Sequence, residues 1–273
     1  MLALVLTVDI TDVEIASDEL WGIGVVAVEE RSGTTPRSVE LWTSLGNDQA
    51  AVTAAMSTLT HNWSWRFENV DETISETWRD HAIATWIAED LVVYPAWAEA
   101  PSNLDNDAIA ISIEPGATFG MGDHPTTVLS LRALLELVAV GKDVLDVGCG
   151  SGVLAIAACL RGARHAVAID ISPAAVPTTI DNARRNGVAD RIHVSTTPLH
   201  EVSGTFDIVL ANILAPALID LSDDLRRVLA SNGALVISGI LAERHDHVLE
   251  ALRPLRVVNR SDHEGWTAIT LRE

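Results

Sequence analysis

The sequence predicts an α/β protein in two parts: a Rossmann-like, doubly wound and mostly parallel sheet, preceded by a small ferredoxin-like α+β domain. Three observations carry that expectation. Short apolar strands alternate with helices beyond residue 141, the first 70 residues follow the order βαββαβ, and seven of the eight tryptophans lie before residue 98. At 273 residues, with 48% hydrophobic and 21% charged residues, the chain is long enough for an α/β domain with a smaller companion and has the composition of a folded protein.

Residues 2–10 read as a strand and 12–22 as a short helix. Two more strands come at Val25–Glu30 and Val39–Ser44, with Ser32-Gly33-Thr34-Thr35-Pro36 turning between them. Asn47-Asp48-Gln49 caps an alanine-rich helix running to about Leu59, and Trp63–Val70 closes the module as a strand. That order is the layout of a ferredoxin-like domain, residues 1–70. Asp71–Glu89, carrying Trp78 and Trp86, has a helical composition, while Pro95, Pro101 and the polar run 102–107 punctuate the next stretch of chain; residues 71–107 therefore read as a connecting helix and linker. The clustered tryptophans are best explained as core or interdomain packing.

Residues 108–273 form the larger domain. Val144–Val147, Ala166–Ile169, Ile192–Ser195, Ile208–Ala211 and Ala234–Ser238 are continuous apolar strands of the kind a parallel sheet covered on both faces requires. Arg256–Ser261 and Trp266–Leu271 close the chain as a hairpin around His263-Glu264-Gly265, which makes seven strands. In such a sheet, ligands sit at the carboxyl ends of the strands.

The formal net charge is −20, from 18 basic and 38 acidic residues, and Lys142 is the sole lysine. A phosphate-tracking surface needs clustered cations, so direct nucleic-acid binding is not expected. A cationic macromolecule suits this surface better, although acidity as an aid to solubility carries slightly more weight. Cys149 and Cys159 imply no disulfide framework and fit a reducing compartment. The apolar start lacks a basic segment and breaks at Asp9, so it reads as a strand and not a signal peptide. No apolar run approaches the roughly 18 residues of a membrane helix. A cytoplasmic, monomeric protein without a membrane partner is expected.

The strand Val144–Val147 runs into Gly148, Gly150 and Gly152, after which an apolar helix begins; glycines let the backbone approach a ligand and turn sharply. Asp170 ends the next strand, placed to accept hydrogen bonds from two ribose hydroxyls. A dinucleotide fingerprint spaces its glycines differently, and the acid Asp146 before this turn disfavours a phosphate at the helix N-terminus. S-adenosylmethionine, which carries no phosphate but has a cationic amino group and a sulfonium, fits both acids and is the expected cofactor.

The fourth strand delivers Asn212-Ile213-Leu214-Ala215 to the same edge. Asn212, with the carbonyls of Ile213 and Leu214, forms the candidate catalytic set, accepting hydrogen bonds from a target amine and aiming its lone pair at the methyl group. The absence of an aromatic ring here suggests an aliphatic amine; Asn212 as a helix cap is the ordinary alternative. The loop Glu114–Thr127 is rich in glycine and ends in a Pro-Thr-Thr helix start, from which Phe119 and Thr127 reach the cofactor. A lone His124 is more often structural than catalytic, and His245 and His247 lack matching ligands, so no metal is expected.

Phe-Gly-x-Gly-x-His-Pro-Thr-Thr from Phe119 to Thr127, Asp-Val-Gly-Cys-Gly-Ser-Gly from Asp146 to Gly152, and Ala-Asn-Ile-Leu-Ala from Ala211 to Ala215, in that order, resemble the ribosomal protein L11 methyltransferase (PrmA) family. Trp78, Pro95-Ala96-Trp97 and Glu264-Gly265-Trp266 extend the likeness, while the first 70 residues match mainly in layout. The resemblance implies an N-terminal domain that recognises a large-subunit ribosomal protein, a helical linker and a seven-stranded class I methyltransferase domain. It also implies methylation of lysine side chains and an N-terminal α-amine, with Thr127, Gly148, Asp170 and Asn212 binding the methyl donor. Met121 and Asp123 stand where the family's loop usually has threonines, and Pro177 interrupts an otherwise helical stretch. Another protein or a small amine as substrate, or a non-catalytic S-adenosylmethionine-binding or assembly module, remain open; an NAD-dependent dehydrogenase has the wrong glycine spacing and no evident proton relay.

Overall fold

The computed structural model describes residues 2–273 apart from 24, 26–27, 47, 70–82, 103, 106–107, 115–117, 119 and 138–139. The chain divides into two compact units, Met1–Ala82 and Ile83–Glu273. In the first, β1 (Leu2–Asp9), α1 (Val13–Gly22), β2 (Val28–Ser32), β3 (Ser38–Thr43), α2 (Gln49–Met56) and β4 (Ser64–Asn69) keep the βαββαβ order. The strands make one antiparallel sheet in the order β2-β3-β1-β4. Side chains alternate along a strand, so Leu4, Leu6 and Val8 of β1 share one face and pack with Ala16 and Leu20 of α1 and Val52 and Met56 of α2. Asp48 opens α2 by accepting hydrogen bonds from the backbone N–H groups of Ala50 and Ala51 at 2.9 and 3.2 Å, donors that a first turn otherwise leaves orphaned.

The second unit begins with β5 (Thr85–Ala88) and β6 (Leu91–Pro95), an antiparallel hairpin, and β7 (Ile109–Ile113), parallel to β6. This corrects the expectation of a helix reaching Glu89 and a linker extending to residue 107; the earlier part of that helix, with Trp78, lies outside the described residues. The reason is tertiary. Leu91, Val92 and Val93 are no more than 1% exposed. Leu91 and Val93 join Ile87, Ile111 and Ile113 in the core that also packs one face of the main sheet. β-branched residues in such surroundings pair as strands, whatever the helical composition upstream.

The rest of the unit comprises α3 (Pro125–Leu137), β8 (Asp143–Val147), α4 (Val153–Leu160), β9 (His165–Ile169), α5 (Ala175–Arg185), β10 (Ile192–Ser195), β11 (Phe206–Asn212), α6 (Ala215–Asp220), α7 (Ser222–Arg227), β12 (Leu229–Leu241), α8 (Asp246–Ala251), β13 (Arg256–His263) and β14 (Trp266–Arg272). The main sheet has the order β10-β9-β8-β11-β12-β14-β13. Its first five strands are parallel, and β14 runs antiparallel between β12 and β13. Val144, Ile208 and Leu210 pack with α3, α4 and α5 on one face, while Leu145, Val209 and Ala211 pack with α6, α7 and α8 on the other. Two covered faces account for the uninterrupted apolar strands. Pro177 does not break α5, because it occupies the third position of the helix, where the backbone N–H has no intrahelical acceptor. The closing hairpin turns on Glu264 and Gly265, with φ of 50° and 81°, the paired positive values of a two-residue turn.

Strand order reverses between β8 and β11, and a crevice at the carboxyl ends of the strands is where such sheets bind ligands. The structural role of β6 is open to test. Leu91→Ala should lower the unfolding free energy by roughly 2–5 kcal/mol in chemical denaturation, as expected for a buried leucine; a cost under about 1 kcal/mol would match a linker position instead.

Candidate functional site

The carboxyl end of β8 runs directly into the glycine turn, and the turn is drawn against the neighbouring strand. Gly148 and Cys149 both donate their N–H groups to the carbonyl of Ile169, at 2.8 and 3.1 Å. Gly148, Gly150 and Gly152 have φ of 75°, 51° and 82°, a region costly to residues with a Cβ. Sterics add to this. A side chain on Gly148 would collide with Ile213, and one on Gly152 would lie 2.5 Å from the methyl of Thr179.

Two acids flank the turn in different surroundings. Asp146 is fully buried; its Oδ2 accepts from the N–H of Ala155 at 3.2 Å, and its Oδ1 has no partner among the described residues. Burial, reinforced by the negative charge of Asp170 and only partly offset by that hydrogen bond, pushes the Asp146 carboxyl up to about 7. Asp170, at the end of β9, is held by two backbone donors: Gly150 N–H to Oδ2 and Ser172 N–H to Oδ1, both at 2.8 Å. A carboxyl oxygen has more than one lone-pair direction, so each oxygen keeps capacity for a ligand hydroxyl. Ile171, immediately after it, is 97% exposed, an apolar side chain standing in water at the binding edge.

Thr127 lies in the first turn of α3, and its Oγ1 is a second buried oxygen without a partner among the described residues. An unsatisfied buried polar group costs about 1–3 kcal/mol, so two at expected cofactor positions fit a ligand that completes them. His124 prepares this turn. Its Nδ1 lies 3.3 Å from the N–H of Thr126, from which it accepts, and 2.8 Å from Thr126 Oγ1, and its ring meets Trp266 edge-on at 5.3 Å. Burial lowers its pKa against the opposing charges of Asp123 and Glu264. Its role here is to cap α3, in line with a structural histidine. Phe119 lies outside the described residues.

Asn212 ends β11 in register with Ser238 of β12 and is half-buried. The helix cap is not Asn212, because α6 begins after Leu214, which has φ −63° and ψ 151°. Ile213 crosses the glycine turn at Gly148, so the candidate catalytic segment and the candidate cofactor turn are in contact. Asp146, Gly148, Gly150, Gly152, Asp170, Asn212, Ile213 and Leu214 thus lie at the carboxyl ends of β8, β9 and β11, with Thr127 on α3.

Four further residues join the site, to none of which the sequence alone assigns an individual role. The hydroxyl of Ser151 donates to the carbonyl of Gly120 at 2.6 Å, tying the turn to the glycine-rich loop. Thr179 donates to Gly150 O at 3.0 Å, and the Asn182 amide donates to Ser151 O at 2.9 Å. Ser238 donates to Thr267 O at 3.0 Å and reaches Thr126 O at 3.4 Å, joining β12, β14 and α3. Ser151 reads in the sequence as part of the glycine turn; the signal of Thr179, Asn182 and Ser238 is faint, polar residues among apolar ones in ordinary helix and strand.

The sequence matches the family described as ribosomal protein L11 methyltransferase (PrmA) over residues 9–273. It is 42% identical over 209 residues to a protein of Citrifermentans bemidjiense named ribosomal protein L11 methyltransferase, covering 74% of this chain and 68% of that protein. The protein of the same name from Methylococcus capsulatus is 37% identical, with 97% of each chain covered. Among solved structures, ribosomal protein L11 methylase from Lactobacillus delbrueckii subsp. bulgaricus superposes with a TM-score of 0.65 at 30% identity, covering 70% of this chain and 97% of its own. This chain belongs to the ribosomal protein L11 methyltransferase family.

Proposed function

We propose that this chain is an S-adenosylmethionine-dependent protein N-methyltransferase. Its substrate in this reading is ribosomal protein L11 of the large subunit, methylated in the cytoplasm on lysine side chains and the N-terminal α-amine. The observation that carries the reading is the pair of buried oxygens without partners among the described residues, Asp146 Oδ1 at the end of β8 and Thr127 Oγ1 in the first turn of α3. The main sheet is then the seven-stranded Rossmann-like core of a class I methyltransferase. The first unit, with its βαββαβ order, is a ferredoxin-like domain that recognises the substrate.

S-adenosylmethionine, when bound, supplies a methyl group on an electron-poor sulfonium. The residues of the chain account for the rest. The N–H and C=O groups around Gly148, Gly150 and Gly152 line its amino-acid portion, with Asp146 offsetting the cationic amino group and Thr127 donating or accepting through Oγ1. Asp170 accepts from the two ribose hydroxyls, and the exposed Ile171 covers one face of the base. Asn212, with the carbonyls of Ile213 and Leu214, accepts hydrogen bonds from the target amine and directs its lone pair along the line of displacement, a positioning effect. A lysine with an ordinary pKa of about 10.4 must first lose a proton, at about 4–5 kcal/mol at pH 7. Ile213, Leu214 and Ala215 lower that cost by desolvating the ammonium.

Three outcomes test this reading. Incubating purified L11 with the protein and S-adenosylmethionine should raise the mass of L11 in steps of one methylene by mass spectrometry; an unchanged mass would remove the substrate assignment. Asp170→Ala should weaken S-adenosylmethionine binding at least tenfold in calorimetry while leaving L11 binding within about twofold, and equal losses would contradict the site map. The third outcome concerns pH. The folded pKa of Asp146 is raised from 3.8 to about 7, so its contribution to the unliganded fold is fully present below about 4 and lost as pH rises through 7. A cationic ligand favours the ionised carboxylate, so donor affinity should climb across the same window. Asp146→Asn should bind more weakly and lack that component of the pH dependence; parallel profiles for the two proteins would argue against the pairing.

A further inference from the structure

Helix α5 carries a polar stripe where a buried helix face is ordinarily apolar. Thr179 and Asn182 are both fully buried, and Asn186 comes one turn later at the end of the helix. Asparagine and threonine are mediocre helix formers, and burying an amide is costly unless its hydrogen-bonding capacity is filled. Here it is filled by main chain from other parts of the fold. The Asn182 amide nitrogen donates to Ser151 O at 2.9 Å and to Glu114 O at 2.8 Å, and its Oδ1 accepts from Glu114 N–H at 2.9 Å. Thr179 Oγ1 donates to Gly150 O at 3.0 Å, and its methyl occupies the space that a side chain on Gly152 would need.

Consecutive carbonyls of the glycine turn, Gly150 and Ser151, are therefore held by two residues one turn apart on the same face of α5. A peptide plane held at its oxygen is fixed at its N–H as well, because the peptide unit is planar. The peptide joining Ser151 to Gly152 is held at both ends, since Gly152 N–H donates to Cys149 O at 2.7 Å. Asn182 links that turn to the backbone just after β7, 68 residues away in sequence, where the glycine-rich loop departs; Ser151 holds the same loop at Gly120. Asn186 makes a closely matched set one turn on. Its amide donates to Ser112 O and Asn182 O, both at 2.8 Å, and its Oδ1 accepts from Ser112 N–H at 2.9 Å. That set touches β7 and the helix but not the turn.

We propose that Thr179 and Asn182 are positioning residues for the methyl donor: they set the orientation of the turn's peptides, and hence donor affinity, without touching the donor, whereas Asn186 supports the fold alone. This inference rests on the reading that the turn binds S-adenosylmethionine. The arrangement supplies its own control, because Asn182 and Asn186 each lose three side-chain hydrogen bonds when cut to alanine.

The test measures binding of S-adenosylhomocysteine by calorimetry, thermal denaturation, and steady-state kinetics with L11, on the full chain and its variants. Asn182→Ala and Asn186→Ala should both lower the melting temperature. Only Asn182→Ala should raise the dissociation constant, by about tenfold or more, with the donor KM rising in step and kcat at saturating donor within about twofold. Asn186→Ala should stay within about twofold of the parent. Thr179→Val, nearly isosteric and expected to fold, should raise the dissociation constant several-fold, and it decides the matter should Asn182→Ala fail to fold. Equal effects of the two asparagine variants, or an unchanged constant for Thr179→Val, would overturn the inference. A parent protein that binds no S-adenosylhomocysteine would instead remove the cofactor reading, and the inference with it.

Discussion

The carboxyl edge of the main sheet depends on how closely the chain between Gly148 and Gly152 is drawn in. Two N–H groups converge on Ile169 O, a third on Asp170, and two carbonyls on α5, so the turn is held by β9 on one side and α5 on the other. Only residues without a Cβ tolerate this, since Ile213 and Thr179 already fill the space above Gly148 and Gly152. The turn's compactness and its contact with the segment after β11 are one constraint, because Ile213 belongs to that segment and packs against the turn.

Burial of Asp146 arises from the same compaction. An acid at the base of a tight turn between strands and helix cannot reach water, and one backbone donor does not offset its desolvation. Such a group is a liability in the unliganded fold and an asset once a cation lies nearby, a common exchange of stability for affinity at binding sites. Asp170 sits at the next strand end with both oxygens already oriented by main chain. The two acids look alike in sequence, and only their surroundings differ.

Most of the larger unit was legible from periodicity. Apolar runs beginning near Val144, Ala166, Ile192, Ile208 and Ala234 each became a strand, because a doubly covered sheet leaves few other uses for such runs. The candidate site was legible to the extent that it resided in local motifs: the glycine spacing, the terminal acids and Asn212 at a strand end. The segment after Asp71 misled, since a helical composition was extended into Thr85–Ala88, and the burial that makes β5 and β6 strands comes from residues such as Ile111 and Ile113, which lie far along the chain. Pro177 misled in a smaller way, because its effect depends on which helical position it occupies.

By itself the sequence determined the order of elements in the first 69 residues and from Asp143 onward, and the position of the glycine turn, since each depends on residue type at short spacing. Only the tertiary structure decided which side chains hold the turn in place. Thr179, Asn182 and Ser151 bond main chain 29 to 31 residues away, and Asn182 also bonds Glu114 across 68 residues. No short-range pattern records such partners, because a buried amide chooses its acceptors from whatever backbone the fold brings within hydrogen-bonding reach, and that choice exists only once the helices have closed over the sheet.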